Sequence, residues 1–280
     1  MLHGAASHRL SRVQTSKLSL CRGALVNTII VDRLGKQFHR YHHDRPWTFQ
    51  EAFQRGLRRI KPVECFWALR DISFAVGAGR MVGIIGRNGA GKSTLLRLLS
   101  GVGRPSEGRV MVRGKIDALL DLGAGFHADL TGRENVFISG VVNGLTRREV
   151  ARQFDSIVAF AELEEFIDFP LRTYSTGMQM RLAFAVAAHT HPSLLFIDEV
   201  LAVGDVAFQR KCLERIARFK AEGCTIMLIS HDSKLVGELC DEALWLHAGR
   251  LIAHGAASVV VDQYLAEAGA QEEAQTTCLF

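Results

Sequence analysis

The 280-residue sequence predicts an α/β fold on a mixed, largely parallel sheet, and three observations predict it. Short apolar runs at Met81 to Ile85, Leu194 to Ile197, Thr225 to Ile229 and Ala243 to Leu246 alternate with helical patterns, the order expected of parallel strands joined by helices. The first of these runs leads straight into a glycine-rich segment ending in Lys-Ser, the pattern of a phosphate-binding loop that opens a helix. Finally, 48% of the residues are hydrophobic and 22% charged, which supports one large domain or two small ones and excludes disorder or collagen-like repeats as descriptions of the whole.

Composition removes several function classes. The six cysteines (Cys21, Cys65, Cys212, Cys224, Cys240 and Cys278) are scattered, without a Cys-x-x-Cys pair or a Cys/His cluster. Neither a disulfide framework nor a structural zinc site has support, and a reducing cytoplasm fits. No apolar run approaches the roughly 20 residues of a membrane-spanning helix. The net charge of +5 is uneven: residues 1–61 carry a balance of +9 and residues 62–280 a balance of −4. The basic character therefore argues for a local contact with something anionic and against a general nucleic-acid surface.

In chain order, residues 1–23 hold Arg9, Arg12, Lys17 and Arg22, no acidic residue, and no apolar core for a secretory signal, so they read as a disordered basic arm. Regular pattern begins with the strand-like Leu25 to Val31, and residues 24–265 form the main domain. Within it, about residues 38–62 read as a basic insertion. There Phe49, Ala52, Phe53, Leu57 and Ile60 fall at helical spacing from Thr48, and Arg55, Arg58, Arg59 and Lys61 crowd the end. Its apolar face is expected to pack on its own domain, leaving the arginines for phospholipid or a partner. A strand over Leu69 to Val76 turns at Gly77-Ala78-Gly79 into Met81 to Ile85. A helical part spans about 128–185, with capping boxes at Thr131 to Glu134 and Thr146 to Glu149. Residues 266–280 read as a loose tail.

The chemistry begins at Gly86-Arg-Asn88-Gly89-Ala90-Gly91-Lys92-Ser93-Thr94. Three glycines let consecutive amides curl toward a phosphate, and the helix opening near Lys92 adds its positive end. Lys92 would neutralise the β and γ phosphates, and the Ser93 hydroxyl would ligate Mg²⁺. A second element, Leu194 to Glu199, runs four apolar residues into two carboxylates. Asp198 is then expected to bind Mg²⁺, directly or through water, and Glu199 to polarise the attacking water. Between them, Tyr174-Ser-Thr-Gly-Met-Gln179 precedes the apolar helix Arg181 to Ala188, so that Ser175 and Gly177 offer a hydroxyl and free amides to an anion.

The order of these segments, followed by Gly204-Asp205 and by His231 after the strand Thr225 to Ile229, resembles the nucleotide-binding domain of ABC transporters over about residues 25–250. The resemblance implies a P-loop NTPase of the ABC type with a helical signature subdomain. It also implies Walker A at Gly86 to Thr94, the signature at Tyr174 to Gln179, Walker B at Asp198 with Glu199 as base, a D-loop at Asp205 and a switch histidine at His231. In that family two ATP molecules are held between two domains, each facing Walker A of one and the signature of the other, which implies a homodimer and a poor ATPase when isolated.

The stretches Leu122-Gly-Ala-Gly-Phe126, Leu130 to Asn135, Tyr-Ser-Thr-Gly-Met, Leu201 to Asp205 and Phe208-Gln-Arg-Lys-Cys212 look like the ATP-binding subunits of bacterial polysaccharide exporters. That branch implies export of lipid-linked O-antigen, capsule or teichoic acid chains, a separate permease, and a place on the cytoplasmic face of the inner membrane. Some members carry a long C-terminal sugar-binding domain; this chain is too short for one, so substrate selection is expected in the permease. Other expectations from the same fold are an exporter of drugs or lipids, or a soluble ATPase acting on nucleic acid or ribosomes. The sequence departs from the family in having no Gln between positions 55 and 152, where His127 or a neighbour takes the place of a Mg²⁺-sensing glutamine. Phe38, Tyr41, Phe66 and Trp67 are all candidates to stack on adenine.

Overall fold

The computed structural model describes residues 27–40, 64–119, 123, 125–198 and 205–277. The basic arm, the amphipathic helix at Thr48 to Lys61, Tyr41, Glu199 and the stretch 201–204 lie outside the described residues.

Two sheets meet face to face. The smaller is antiparallel, in the order β2 (Glu64–Gly77), β1 (Asn27–Arg40) and β4 (Glu107–Val112). The larger has six strands: β5 (Ile116–Leu119), β6 (Leu194–Asp198), β7 (Thr225–Ile229), β3 (Met81–Ile85), β8 (Glu242–His247) and β9 (Arg250–Ala256) in spatial order. The first five run parallel and β9 is antiparallel to β8, so the sheet is mixed and largely parallel.

Why the central strands read as unbroken apolar runs is visible in how they alternate. Met81, Ile85, Leu195, Ile197, Ile226 and Leu228 face one core layer, whereas Val82, Ile84, Leu194, Phe196, Met227 and Ile229 face the other. Both faces are buried, which removes the polar alternate of a half-exposed strand. The second layer is closed by the antiparallel sheet and by α1 (Lys92–Leu99). The first is closed by α4 (Thr176–Ala188), α5 (Val206–Ala221), α6 (Ser233–Leu239) and α7 (Ala257–Thr277).

A third core is helical, made by α2 (Gly132–Val142), α3 (Arg147–Ala161) and α4 around Val136, Ile157, Leu182 and Val186. Both expected capping boxes form. Thr131 and Thr146 each accept from the backbone of Glu134 and Glu149, whose carboxylates accept in return. Those hydrogen bonds hold the two carboxyls below their ordinary pKa.

Three boundaries differ from the sequence reading. Strand β1 continues to Arg40 and β2 starts at Glu64, so residues 38–40 belong to a hairpin and the insertion is shorter at its start. The cross-strand pair Phe38 and Phe66, stacked with ring centroids 5.7 Å apart, accounts for the extension. The expected loose tail is a correction: α7 runs through Thr277, and its Ala, Glu and Gln content favours helix.

Burial of Cys212, Cys224 and Cys240 pushes their thiols up to about 12. Their folded pKa values lie above the ordinary thiol range near about 8.5, so the stability tied to the neutral thiols is complete below that pH and is lost as pH climbs toward 12. At pH 8, peptide-resolved labelling with iodoacetamide should leave these three unmodified in folded protein and label them after denaturation, whereas exposed Cys65 reacts in both states.

Candidate functional site

The phosphate loop joins β3 to α1 and its backbone is fixed by glycines. Gly86, Gly89 and Gly91 have φ of 146°, 79° and 102°. A Cβ at Gly86 would lie 2.2 Å from the Leu246 carbonyl oxygen, and one at Gly91 would lie 2.7 Å from that of Ala68. The loop is thus wedged between β8 and β2 with no room for side chains at those points. The Gly249 N–H donates to the Ala90 carbonyl at 3.1 Å, and the Arg70 N–H donates to the Gly249 carbonyl at 2.8 Å, locking the three segments together.

Lys92 is buried and arches over this loop, its ammonium donating to the carbonyls of Gly86 at 2.7 Å and Arg87 at 3.2 Å. Ser93 and Thr94 follow on the first turn of α1, half-buried. Together with Asn88, Gly89 and Gly91 they line a cavity of about 610 Å³, a size suited to a small ligand. Its far wall is aromatic, from Phe38, Phe66 and Trp67 on the β1–β2 hairpin, and His231 closes it from the end of β7. Three of the four aromatic candidates therefore reach one cavity. Lys36 lies 5.2 Å from the Phe38 ring centroid and holds that ring by its charge.

Sheet order explains the convergence. Strand β7 lies between β3 and β6 and runs parallel to both, so all three C-terminal ends open on one edge. That edge receives the phosphate loop from β3, His231 from beyond β7, and Asp198 from β6, where Asp198 pairs in register with Ile229. Asp198 is half-buried. Ser93 lines the cavity, whereas Asp198 is not among its lining residues and reaches only the same sheet edge. Both are hard oxygen donors of the kind that suit Mg²⁺, which keeps several waters and takes other oxygens from substrate phosphates. No cluster of three or more His, Cys, Asp or Glu side chains that could hold a metal occurs among the described residues, so a dedicated protein cage is not what that part of the chain offers.

Ser175 and Gly177 are not among the cavity's lining residues. Ser175 is the N-cap of α4, its exposed hydroxyl accepting from the Met178 N–H at 3.2 Å. Tyr174 anchors this corner, since its buried hydroxyl donates to the Phe166 carbonyl at 2.6 Å and burial raises its pKa. Asp205 caps α5 in the same way, accepting from the Phe208 N–H at 2.8 Å.

His127 has an exposed side chain, but its peptide is gripped on both sides by fully buried Asn135, which accepts from the His127 N–H at 2.7 Å and donates to its carbonyl at 3.0 Å. Asn135 ends the Leu130 to Asn135 stretch, where the sequence alone assigns it no role. A polar residue just inside a capped helix, after a loop of unusual composition, is the signal that marks it.

A glycine-built phosphate loop on the central strand of a mixed sheet, with an aromatic wall beside it, is the site of a P-loop nucleotide-binding protein. Residues 69–202 match the family described as ABC transporter. Over 222 residues the chain is 50% identical to an O-antigen export system ATP-binding protein of Myxococcus xanthus, covering 79% of this chain and 51% of that one. It is 43% identical to a protein of the same description from Klebsiella pneumoniae, covering 82% and 94%. A teichoic acids export ATP-binding protein of Listeria monocytogenes is 41% identical, covering 74% and 62%. Thus the chain spans about half the length of the Myxococcus relative and nearly all of the Klebsiella one. The fold is shared with an ATP-binding subunit of an ABC transporter (TM-score 0.66, 24% identity, covering 85% and 93%). A dimeric ATP-binding cassette bound to ADP and Pi also shares it (TM-score 0.65, 20% identity, covering 82% and 98%). The chain belongs to the ABC transporter family, in the branch of the polysaccharide exporters.

The glycine geometry makes a graded prediction. Ala at Gly89, where nothing lies within 4 Å, meets only the left-handed backbone and should cost about 1–2 kcal/mol. Gly86→Ala adds a collision with the Leu246 backbone and should cost clearly more in chemical denaturation. Equal losses would mean that the Leu246 contact is not the constraint.

Proposed function

We propose that this chain is the ATP-hydrolysing subunit that powers export of a lipid-linked polysaccharide across the bacterial inner membrane, working as a homodimer with a separate permease. The observation that carries the reading is the single cavity shared by Lys92, Ser93, His231 and the Phe38/Phe66 pair, which joins a phosphate cradle to an aromatic seat. The export class is supported by the 41–50% identity to O-antigen and teichoic acid export subunits. No helix among the described residues is long and apolar enough to cross a membrane; the proposed place of the subunit is peripheral, on the cytoplasmic face. The arginines at 55, 58 and 59 supply a basic contact toward the membrane or permease, and no nucleic acid is required.

In this reading, adenine stacks on the hairpin aromatics while the amides of Asn88 to Gly91 and the dipole of α1 receive the phosphates. Lys92 transfers its hydrogen bonds from loop carbonyls to the β and γ phosphates, and Thr94 adds a hydroxyl on the same turn. Ser93 and Asp198 would hold Mg²⁺, which neutralises charge on the phosphates when bound. Glu199 orients the attacking water and His231 contacts the γ-phosphate. Holding water in line and stabilising charge on the phosphoryl group supply most of the acceleration. Ser175, Gly177 and Asp205 serve the nucleotide of the partner subunit, a reading supported by none of the three lining this subunit's own cavity.

The reading is tested with purified protein and in cells. Lys92→Ala should abolish ATP binding by dilute monomer, whereas Ser175→Ala should bind normally and hydrolyse slowly. Glu199→Gln should bind ATP and accumulate a dimer on size exclusion. A strain lacking the gene should recover surface polysaccharide with wild type and not with Glu199→Gln. Equal weakening of binding by Lys92→Ala and Ser175→Ala would refute the cross-subunit arrangement, and normal surface polysaccharide without the gene would refute the substrate class.

A further inference from the structure

Arg181 lies on α4, the helix that Ser175 caps, and contacts from two other helices converge on its guanidinium. Its Nε donates to the Ala161 carbonyl at 3.0 Å, and a terminal N–H donates to the Glu162 carboxylate. Its other terminal nitrogen is 4.0 Å from the Asp205 carboxylate. The guanidinium carbon stands 4.9 Å from the centroid of the Phe208 ring, and that ring belongs to the first turn of α5. The Arg181 side chain is 18% exposed while those of Glu162 and Asp205 are 54% and 65% exposed, so the guanidinium is sheltered and its carboxylate partners meet water. One planar fork therefore ties the C-terminus of α3 to the N-terminus of α5, a geometry that an ammonium cannot reproduce.

Glu162 supplies the second, independent observation. It is the C-cap of α3 with φ 57° and ψ 50°, a left-handed position where glycine or asparagine is preferred. A side chain with a Cβ carries a steric penalty there that glycine does not. What the glutamate adds is its carboxylate, which accepts from Arg181 on one oxygen and from Lys211 Nζ at 3.2 Å on the other. Lys211, on α5, also donates to the Phe160 carbonyl at 3.0 Å. The residue at this turn thus serves the ionic tie at the expense of the local backbone preference.

We infer that Arg181, held by Glu162, is a positioning residue that fixes the Ser175 end of α4 against the Asp205 end of α5. The inference rests on the functional reading above, in which those two helix starts act across the subunit interface. It predicts that the tie governs turnover by the dimer and not ATP capture by the monomer, because neither Arg181 nor Glu162 lines the nucleotide cavity.

Glu162→Gly separates positioning from mere folding, since it removes the carboxylate while giving the left-handed turn its preferred residue. The expected result is an unchanged or higher melting temperature, unchanged ATP affinity at dilute concentration, and a kcat lowered by about tenfold with little change in KM. Arg181→Lys should lower kcat in the same way. The double variant should fall no further than either single one, because both break one tie. A folded Glu162→Gly protein that binds ATP and turns over within about twofold of wild type would overturn the inference. So would a drop in melting temperature large enough to explain the lost turnover. Wild-type protein that neither binds nor hydrolyses ATP would instead sink the functional reading, and the inference with it.

Discussion

Everything at the nucleotide edge depends on three backbone segments touching where no side chain fits. The phosphate loop at Gly86 and Gly91, strand β2 at Ala68, and the β8–β9 turn at Gly249 approach so closely that a Cβ on any of these glycines would fall within 2.2–2.7 Å of a carbonyl oxygen. The turn itself has two successive left-handed residues, Ala248 at φ 46° and Gly249 at φ 75°, the form that suits a two-residue hairpin loop. This contact sets the direction of the loop's amides, and the same β2 backbone carries Phe66 and Trp67. Phosphate cradle and aromatic wall are therefore fixed relative to each other by main chain alone.

Much of this was legible in the sequence because it is encoded locally. The runs Met81 to Ile85 and Thr225 to Ile229 are strands with those boundaries, since continuous apolar character bounded by turn residues has few other interpretations. The capping boxes are likewise self-contained, each closing over four residues. The start of β2 was not legible: Glu64, Cys65 and Phe66 are exposed and lack an apolar period, and they are strand only because β1 pairs with them. The helix beyond residue 265 was hidden for a different reason, because its helix-forming residues carry no apolar period that marks a buried face.

The site was legible in the same uneven way. Lys92, Ser93 and His231 follow from motif and order, and the structure brings them to one cavity. Asn135 and Arg181 carry no such motif, because much of their work is done on main-chain groups. Asn135 holds both sides of the His127 peptide, and Arg181 reaches Ala161 and Glu162 across the helical part. A bond to a backbone atom leaves no complementary residue type in the sequence to search for, and the carboxylate partner of Arg181 lies 19 residues away on another helix end. Such residues emerge only when the fold places the carbonyls.

The boundary between the helical part and the sheet core has its own physical character. Each side has its own apolar cluster, α4 contributes buried residues to both, and Phe160 is the partly buried ring that packs against both. It lies 6.1 Å from the Phe184 ring centroid and 5.9 Å from that of Phe208. Around it the ties are polar: Arg181 to Glu162, Lys211 to Glu162, and Arg215 to the Ala188 carbonyl at 2.6 Å. A broad apolar seam would resist any relative shift, because opening it exposes area at roughly 25 cal/mol per Å². Charged side chains can exchange a partner for water at lower cost, and the half-exposed Glu162 carboxylate is placed to do so while its two partners direct it. Helix α4 is shared by both cores, with Phe184 in one and Leu182 in the other, and the polar ties around it hold the starts of α4 and α5 in register; the left-handed glutamate at position 162 is where the backbone bears the cost.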